Sequence, residues 1–188
     1  MAIKISACYI TKNEERTLAR SLNSLKGQID ELIVVDSGST DNTVTIAKKY
    51  GAQVYHHEWT DDFAAARNVA LEKATGDWII FLDADEYFAE ESAAVIRKAI
   101  AGARGDAIKV TIINIQEDTG KEIARSLVLR MWKNKPARRY VGRIHEHVRE
   151  GEKNLDNIEC IADIFLYHTG YSEEKMKQKS ERNLKLLM

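Results

Sequence analysis

Two carboxylates two positions apart, Asp83 and Asp85 with Glu86 behind them, directly follow the apolar run Trp78-Ile-Ile-Phe-Leu82. In an extended segment, side chains at i and i+2 project to the same side. The pair therefore offers hard oxygen ligands to a divalent cation and, through it, to a diphosphate. A bare Asp-x-Asp is common by chance, and these acids serve equally as a solvated turn before a helix. What raises them above that is their place after a buried strand, where a carboxylate needs a helix N-terminus, a cation or a ligand beside it. Asp36 repeats the arrangement at the end of Glu31-Leu-Ile-Val-Val35. Two familiar phosphate cradles are missing, because no GxGxxG follows the first strand and no GxxxxGK[ST] occurs anywhere.

These groups meet only if the right elements carry them. Ile3 to Ile10 reads as a strand followed by the polar stretch Thr11-Lys-Asn-Glu-Glu15, and Leu18, Leu22 and Leu25 then recur at helical spacing. Glu31 to Asp36 suits a central parallel strand covered on both faces. The turn Ser37 to Thr43 leads into a helix reaching about Tyr50, with Gly51 as its stop. Gln53 to His56, the alanine-rich helix Phe63 to Ala74 and the strand Trp78 to Asp83 complete the alternation. Strands alternating with helices predict βαβ units and a mostly parallel sheet. In such a sheet the segments after the first, second and fourth strands open on one edge, so Thr11 to Glu14, Asp36 and Asp83 to Asp85 converge on a single crevice.

The second half changes character. Ala107 to Ile115, Ser126 to Trp132 and Ile161 to Tyr167 read as strands, and Asp118-Thr-Gly120 as a hairpin turn, so antiparallel strands are expected beside the parallel core. A C-terminal helix is expected from near Ser172, and it reaches Met188 without a stop signal, as in a longer protein that has been trimmed.

A chain of 188 residues and 21.3 kDa, 44% hydrophobic and 30% charged, is one globular domain rather than a disordered or repetitive chain. The division expected is a first half over residues 1–100, a second half over 101–171 and a helix over 172–188. Lys and Arg number 28 against 29 Asp and Glu, a net charge of −1, so no global field draws the protein to nucleic acid or an anionic membrane. Any anion must be held locally. Cys8 and Cys160 build no disulfide framework, and neither a signal-peptide pattern nor an 18-residue apolar run is visible, which suits the cytoplasm.

Ile10-Thr-Lys-Asn-Glu14, Val34-Val-Asp-Ser-Gly-Ser-Thr-Asp41, Ala66-Arg-Asn68 and Phe81-Leu-Asp-Ala-Asp-Glu86, in that order and spacing, together resemble the family 2 glycosyltransferases of GT-A fold. The resemblance implies a Rossmann-like, mostly parallel sheet, a nucleotide-sugar donor, commonly a UDP-sugar, a divalent metal, and transfer with inversion. By the same match Asp36 contacts the base, Arg67 helps hold the nucleotide, Asp83 faces the ribose and Asp85 binds metal. Thr11, Asn13 and Glu14 either touch the nucleotide or cap the first helix. Gly142-Arg-Ile-His-Glu-His147 resembles the segment carrying the family's catalytic carboxylate, but the usual Glu-Asp pair is replaced by His-Glu. The base is therefore Glu146, with His145 as the alternative. Tyr167-His-Thr-Gly-Tyr171 resembles the segment whose histidine reaches the metal, which makes His168 the second ligand. An imidazole suits Mn²⁺ better than Mg²⁺, and the oxygens accommodate both.

Other features are plainer. The loop Arg130 to Arg143 either closes over the diphosphate or is an ordinary basic loop. Trp59, Trp78 and Trp132 read as core or hinge aromatics, with Trp132 the one placed to face an acceptor, while His56 and His57 sit at a strand end. Relatives of this kind often continue into tetratricopeptide repeats or act on lipopolysaccharide core. That implies transfer of a hexose or N-acetylhexosamine to a peptide, protein or glycolipid, with room for peripheral contact at the inner face of a membrane. Two competitors are a nucleotidyltransferase, whose glycine-rich basic phosphate loop is missing, and a nucleotide-sugar-binding module without transferase activity of its own.

Overall fold

The structure, a computed structural model, describes residues 2–170. The helix expected from Ser172 onward lies outside the described residues. Strands β1 (Ile5–Thr11), β2 (Glu31–Asp36), β3 (Gln53–His56) and β4 (Trp78–Phe81) alternate with helices α1 (Leu18–Ser24), α2 (Thr43–Lys49) and α3 (Phe63–Lys73). All four strands run parallel, in the order β3-β2-β1-β4. Their side chains explain the arrangement: β2 and β4 are almost wholly buried along their length, as strands covered on both faces must be. Asp62 caps α3 by accepting a hydrogen bond from the Ala65 amide at 2.9 Å, and Gly51 (φ +81) ends α2 in the left-handed conformation. Gly76 is required by a close approach, since a Cβ there would lie 2.5 Å from Ser6 Oγ.

The chain then adds β5 (Glu86–Phe88), α4 (Glu90–Ala93), α5 (Ile96–Gly102), β6 (Ala107–Ile115), β7 (Glu122–Lys133), β8 (Arg138–Val141), β9 (His147–Glu150), β10 (Lys153–Asn154) and β11 (Ile158–His168). The eight-stranded sheet has the order β3-β2-β1-β4-β7-β6-β11-β5, and β10-β9-β8 form a separate antiparallel sheet. The β6–β7 hairpin forms where expected, with Gly120 at φ +66 in its turn. One expectation needs correcting. β11 lies parallel to β6, not antiparallel, because the long excursion through β7 to β10 returns the chain to the far side of β6 in the same direction.

Apolar side chains fill both faces of the large sheet. Leu18, Leu22, Ile96 and Ile100 cover one face, and Ala70, Leu71, Trp132, Tyr140 and Val148 belong to the other. Trp132 is therefore core and does not face an acceptor: its ring stacks on Phe81 at 6.4 Å and meets Tyr140 edge-on at 5.8 Å.

The small sheet is held by polar contacts. Asn68 on α3 exchanges two hydrogen bonds with the backbone of Tyr140 in β8, at 3.0 and 2.9 Å. Asp106 accepts from Lys133 and Lys135, each at 2.7 Å, and from Arg138 at 3.2 Å, while Glu150 takes a second Arg138 contact at 2.8 Å. Hydrogen bonds from those two lysines hold the Asp106 carboxyl well below the usual carboxylate range. This network takes up Lys133, Lys135 and Arg138, so that part of the basic segment is a structural tie and not an idle exposed loop. No helix among the described residues is long and apolar enough to cross a membrane.

Candidate active site

At the carboxyl edge of the parallel strands lies an open cavity of about 570 Å³. Its lining includes Thr11, Lys12, Glu14 and Ser37 from the loops after β1 and β2, and Asp83 and Asp85 after β4. Arg67 comes from α3, Arg130 from β7, His145 and Glu146 from the β8–β9 connection, and His168 from the end of β11. Eight of the ten residues singled out in the sequence are in that lining. The other two, Asn13 and Asp36, stand behind it.

Asp36 sits opposite Thr11 in the β1–β2 register and is buried. Its Oδ2 accepts from the Gly38 and Ser39 amides at 3.0 Å, and its Oδ1 from Ser39 Oγ at 2.5 Å and Thr11 Oγ1 at 3.4 Å. The carboxylate thus shapes the turn whose Ser37 reaches the cavity. Asn13, in the left-handed region at φ +58, accepts from the Thr40 amide at 2.8 Å, and the Glu14 amide donates to Thr43 Oγ1 at 2.7 Å. These bonds stitch the loops after β1 and β2 into one wall. Glu14 also supports the start of α1, its carbonyl accepting from the Leu18 amide at 3.0 Å and its carboxylate from Thr17 Oγ1 at 2.7 Å.

The floor is a chain of charges. Arg67 donates through Nη2 to Asp83 at 2.6 Å and through Nε to Glu146 at 2.8 Å. Arg130 binds Glu86 through Nη2 at 2.5 Å and Nε at 2.8 Å, and reaches Asp83 at 3.4 Å. Burial alone would push the Asp83 carboxyl up, but the charges of Arg67 and Arg130 outweigh it and hold the group ionised, well below the usual range. For Glu86, buried to 1%, desolvation wins over its Arg130 partner and the pKa is raised. Glu86 is therefore a support for Arg130, set behind the cavity.

Asp85 and His168 meet at the opposite wall, Oδ2 to Nε2 at 3.3 Å. His168 Nδ1 lies 2.9 Å from Asn114 Oδ1, its register partner on β6. With Nδ1 held at Asn114, Nε2 is the ring nitrogen that faces the Asp85 carboxylate. A hard oxygen and an oriented imidazole nitrogen make a donor pair that fits a divalent metal of the Mn²⁺ type. Among the described residues no three His, Cys, Asp or Glu groups converge.

The remaining rim is aromatic and strained. Trp59 and Phe63 meet edge-on with ring centroids 4.7 Å apart, and Trp59 Nε1 donates to Asp61 at 2.8 Å. The Phe63 amide donates to the Arg143 carbonyl at 3.1 Å, tying this rim to the segment that carries Glu146. Asn13, Asp61 and His145 are non-glycine residues in the left-handed region, at φ 58, 58 and 57, and of these His145 lines the cavity. His145 and His147 do not share the face of a strand, since His145 lies in the bend before β9 and both are exposed.

A sequence model described as "Glycosyl transferase family 2" matches residues 6–171. The chain belongs to this family. This family 2 glycosyltransferase domain is 36% identical over 182 residues to a TPR repeat-containing protein of Synechococcus elongatus, covering 94% of the chain and 44% of that protein. It is 33% identical over 187 residues to the SPbeta prophage-derived glycosyltransferase SunS of Bacillus subtilis, covering 97% of the chain and again 44% of the relative. The chain thus spans under half the length of these relatives. Among solved structures, S. aureus TarS residues 1–349 in complex with UDP-GlcNAc superposes with a TM-score of 0.63 at 21% identity, over 93% of this chain and 61% of that one. Glucosyl-3-phosphoglycerate synthase from Mycobacterium tuberculosis, in complex with Mn²⁺, UDP and glucosyl-3-phosphoglycerate, gives 0.61 at 17% identity, over 98% of this chain and 78% of that one. At such identities these structures establish the fold, which is the GT-A arrangement expected.

Four residues around the cavity have partners that only the folded chain reveals. Arg130 of β7 pairs with Glu86 at the start of β5, Asn114 meets His168 through strand register, and Trp59 at the rim donates to Asp61.

Proposed function

We propose that this domain transfers a hexose or N-acetylhexosamine from a UDP-sugar to an acceptor by direct displacement with inversion. The observation that carries the reading is the convergence, on one cavity, of the Asp85–His168 pair, ionised Asp83 and Glu146. The UDP-GlcNAc and UDP complexes of structural neighbours make a uridine donor the first choice. In this reading the turn built on Asp36 receives the base and Asp83 the ribose. Thr11, Asn13 and Glu14 act mainly through the wall they build.

Asp85 and His168 would hold a divalent cation, Mn²⁺ or Mg²⁺, whose chemistry is to offset negative charge building on the departing diphosphate. Glu146 accepts the proton of the acceptor's hydroxyl or thiol, with His145 as the alternative base. The acceptor's oxygen or sulfur bonds to the anomeric carbon as the bond from that carbon to the β-phosphate oxygen breaks. UDP leaves with the bonding electrons, and no sugar is attached to the enzyme along the way. Arg130 and Lys12 line the same cavity and add positive charge on the leaving-group side. The acceptor is a peptide, protein or glycolipid, met at the Trp59–Phe63 rim. Cys8 and Cys160, both free, suit a cytoplasmic setting, which leaves room for peripheral membrane contact.

A panel of UDP-glucose, UDP-galactose and UDP-N-acetylhexosamines, each with and without Mn²⁺, tests the reading by thermal unfolding. One donor is expected to stabilise the fold, by about 2.7 kcal/mol at a hundred times its Kd, and to do so more strongly with Mn²⁺. If no nucleotide sugar moves the transition, the domain is not a donor-binding enzyme. Binding without any turnover would mark it as a binding module instead.

A further inference from the structure

We propose that Arg67 is not a ligand of the nucleotide but the positioning residue of the base, a rigid strut that fixes Glu146 relative to the donor-side acid Asp83. This rests on the reading of Glu146 as the base and extends it.

The strut is buried to 7% exposure while bordering the cavity. Arg67 is buried, with the Phe81 ring centroid 4.8 Å and the Tyr140 ring centroid 5.2 Å from its guanidinium carbon. Its Nε and Nη2 are already committed to Glu146 and Asp83. Tyr140 is itself docked on α3 by Asn68, the residue after Arg67, so sequence neighbours hold both the strut and its packing surface.

Glu146 needs such a support because its own backbone gives little. It lies in an irregular connection, preceded by Gly142 at φ +97 and His145 at φ +57. Among the described residues Arg67 is the one side chain that hydrogen-bonds Glu146. Arg67 takes Oε1, so Oε2 is the oxygen left to receive the acceptor's proton. A base must first be within reach and correctly aimed, and misplacement by about 1 Å can lower a rate by about 10²-fold. A planar guanidinium can bridge two carboxylates in a fixed geometry, whereas a lysine ammonium is a point charge on a flexible stem.

The test is a double-mutant cycle of Arg67→Lys and Glu146→Gln, read by hydrolysis of the nucleotide sugar chosen by the thermal panel and by calorimetric binding of UDP. Arg67→Lys is expected to lower kcat by about 10²-fold and to leave the Kd for UDP within about threefold. In the Glu146→Gln background the same change should lower the rate by less than about twofold, because groups acting as a unit are non-additive. A tenfold or greater loss of UDP affinity with kcat unchanged would make Arg67 a nucleotide ligand. Multiplying effects in the cycle would make its action independent of Glu146. Either result overturns the proposal while leaving Glu146 as the base, whereas full activity of Glu146→Gln alone overturns both. Should Arg67→Lys fail to fold, Arg67→Gln, which keeps reach and loses the charge, is carried through the same cycle.

Discussion

Asp85→Ala is expected to lose cation-dependent donor turnover by at least about 10²-fold, as removal of a group that stabilises developing charge does. In the proposed reading the carboxylate is half of a metal-binding pair, and Asn114 orients only the other half. The neighbouring Thr169 is held by the Asp85 backbone carbonyl, which accepts from both the Thr169 amide and its hydroxyl at 3.1 Å and survives the substitution. Turnover measured against Mn²⁺ concentration, beside a thermal melt, separates lost chemistry from lost folding. An unchanged rate at every Mn²⁺ concentration would remove Asp85 from the mechanism.

Glu146→Gln is the second large effect, a loss of about 10²–10⁴-fold in kcat, the range for removing a general base. The substitution is nearly isosteric, and an amide oxygen can still accept the Arg67 Nε hydrogen bond. What disappears is the capacity to take up a proton. UDP binding should therefore persist while kcat falls. His145→Ala is the companion measurement, with less than about threefold loss expected for a residue that is exposed and held in a strained bend. Reversed magnitudes would transfer the role of base to His145.

The parallel half of the fold was readable because its signals are local. Glu31 to Asp36 and Gln53 to His56 were bounded to the residue by an apolar run and a glycine stop, and the edge rule then gathered Thr11, Asp83 and Asp85 on one side. The second half was less legible because its pairings are distant in sequence. Nothing local tells Ile158 to His168 to lie parallel to β6 instead of antiparallel to it. The strands of the small sheet are short and charged, and Arg138 and Glu150 look like solvent-facing residues until Asp106 is brought between them. Arg67 shows the same limit inside the site, since its motif marks it as functional while only the folded chain gives it two carboxylate partners. The identities of the acids and of His168 were in the sequence; the strand register that brings Asn114 to His168 and the fold that brings Arg130 to Glu86 were not.

The most direct measurement is a crystal structure of the chain with UDP and Mn²⁺. The account predicts manganese bound by Asp85 Oδ2 and His168 Nε2, the diphosphate beside it, the ribose at Asp83 and the uracil against the turn built on Asp36. A nucleotide bound elsewhere, or manganese held without either of those two side chains, would contradict it.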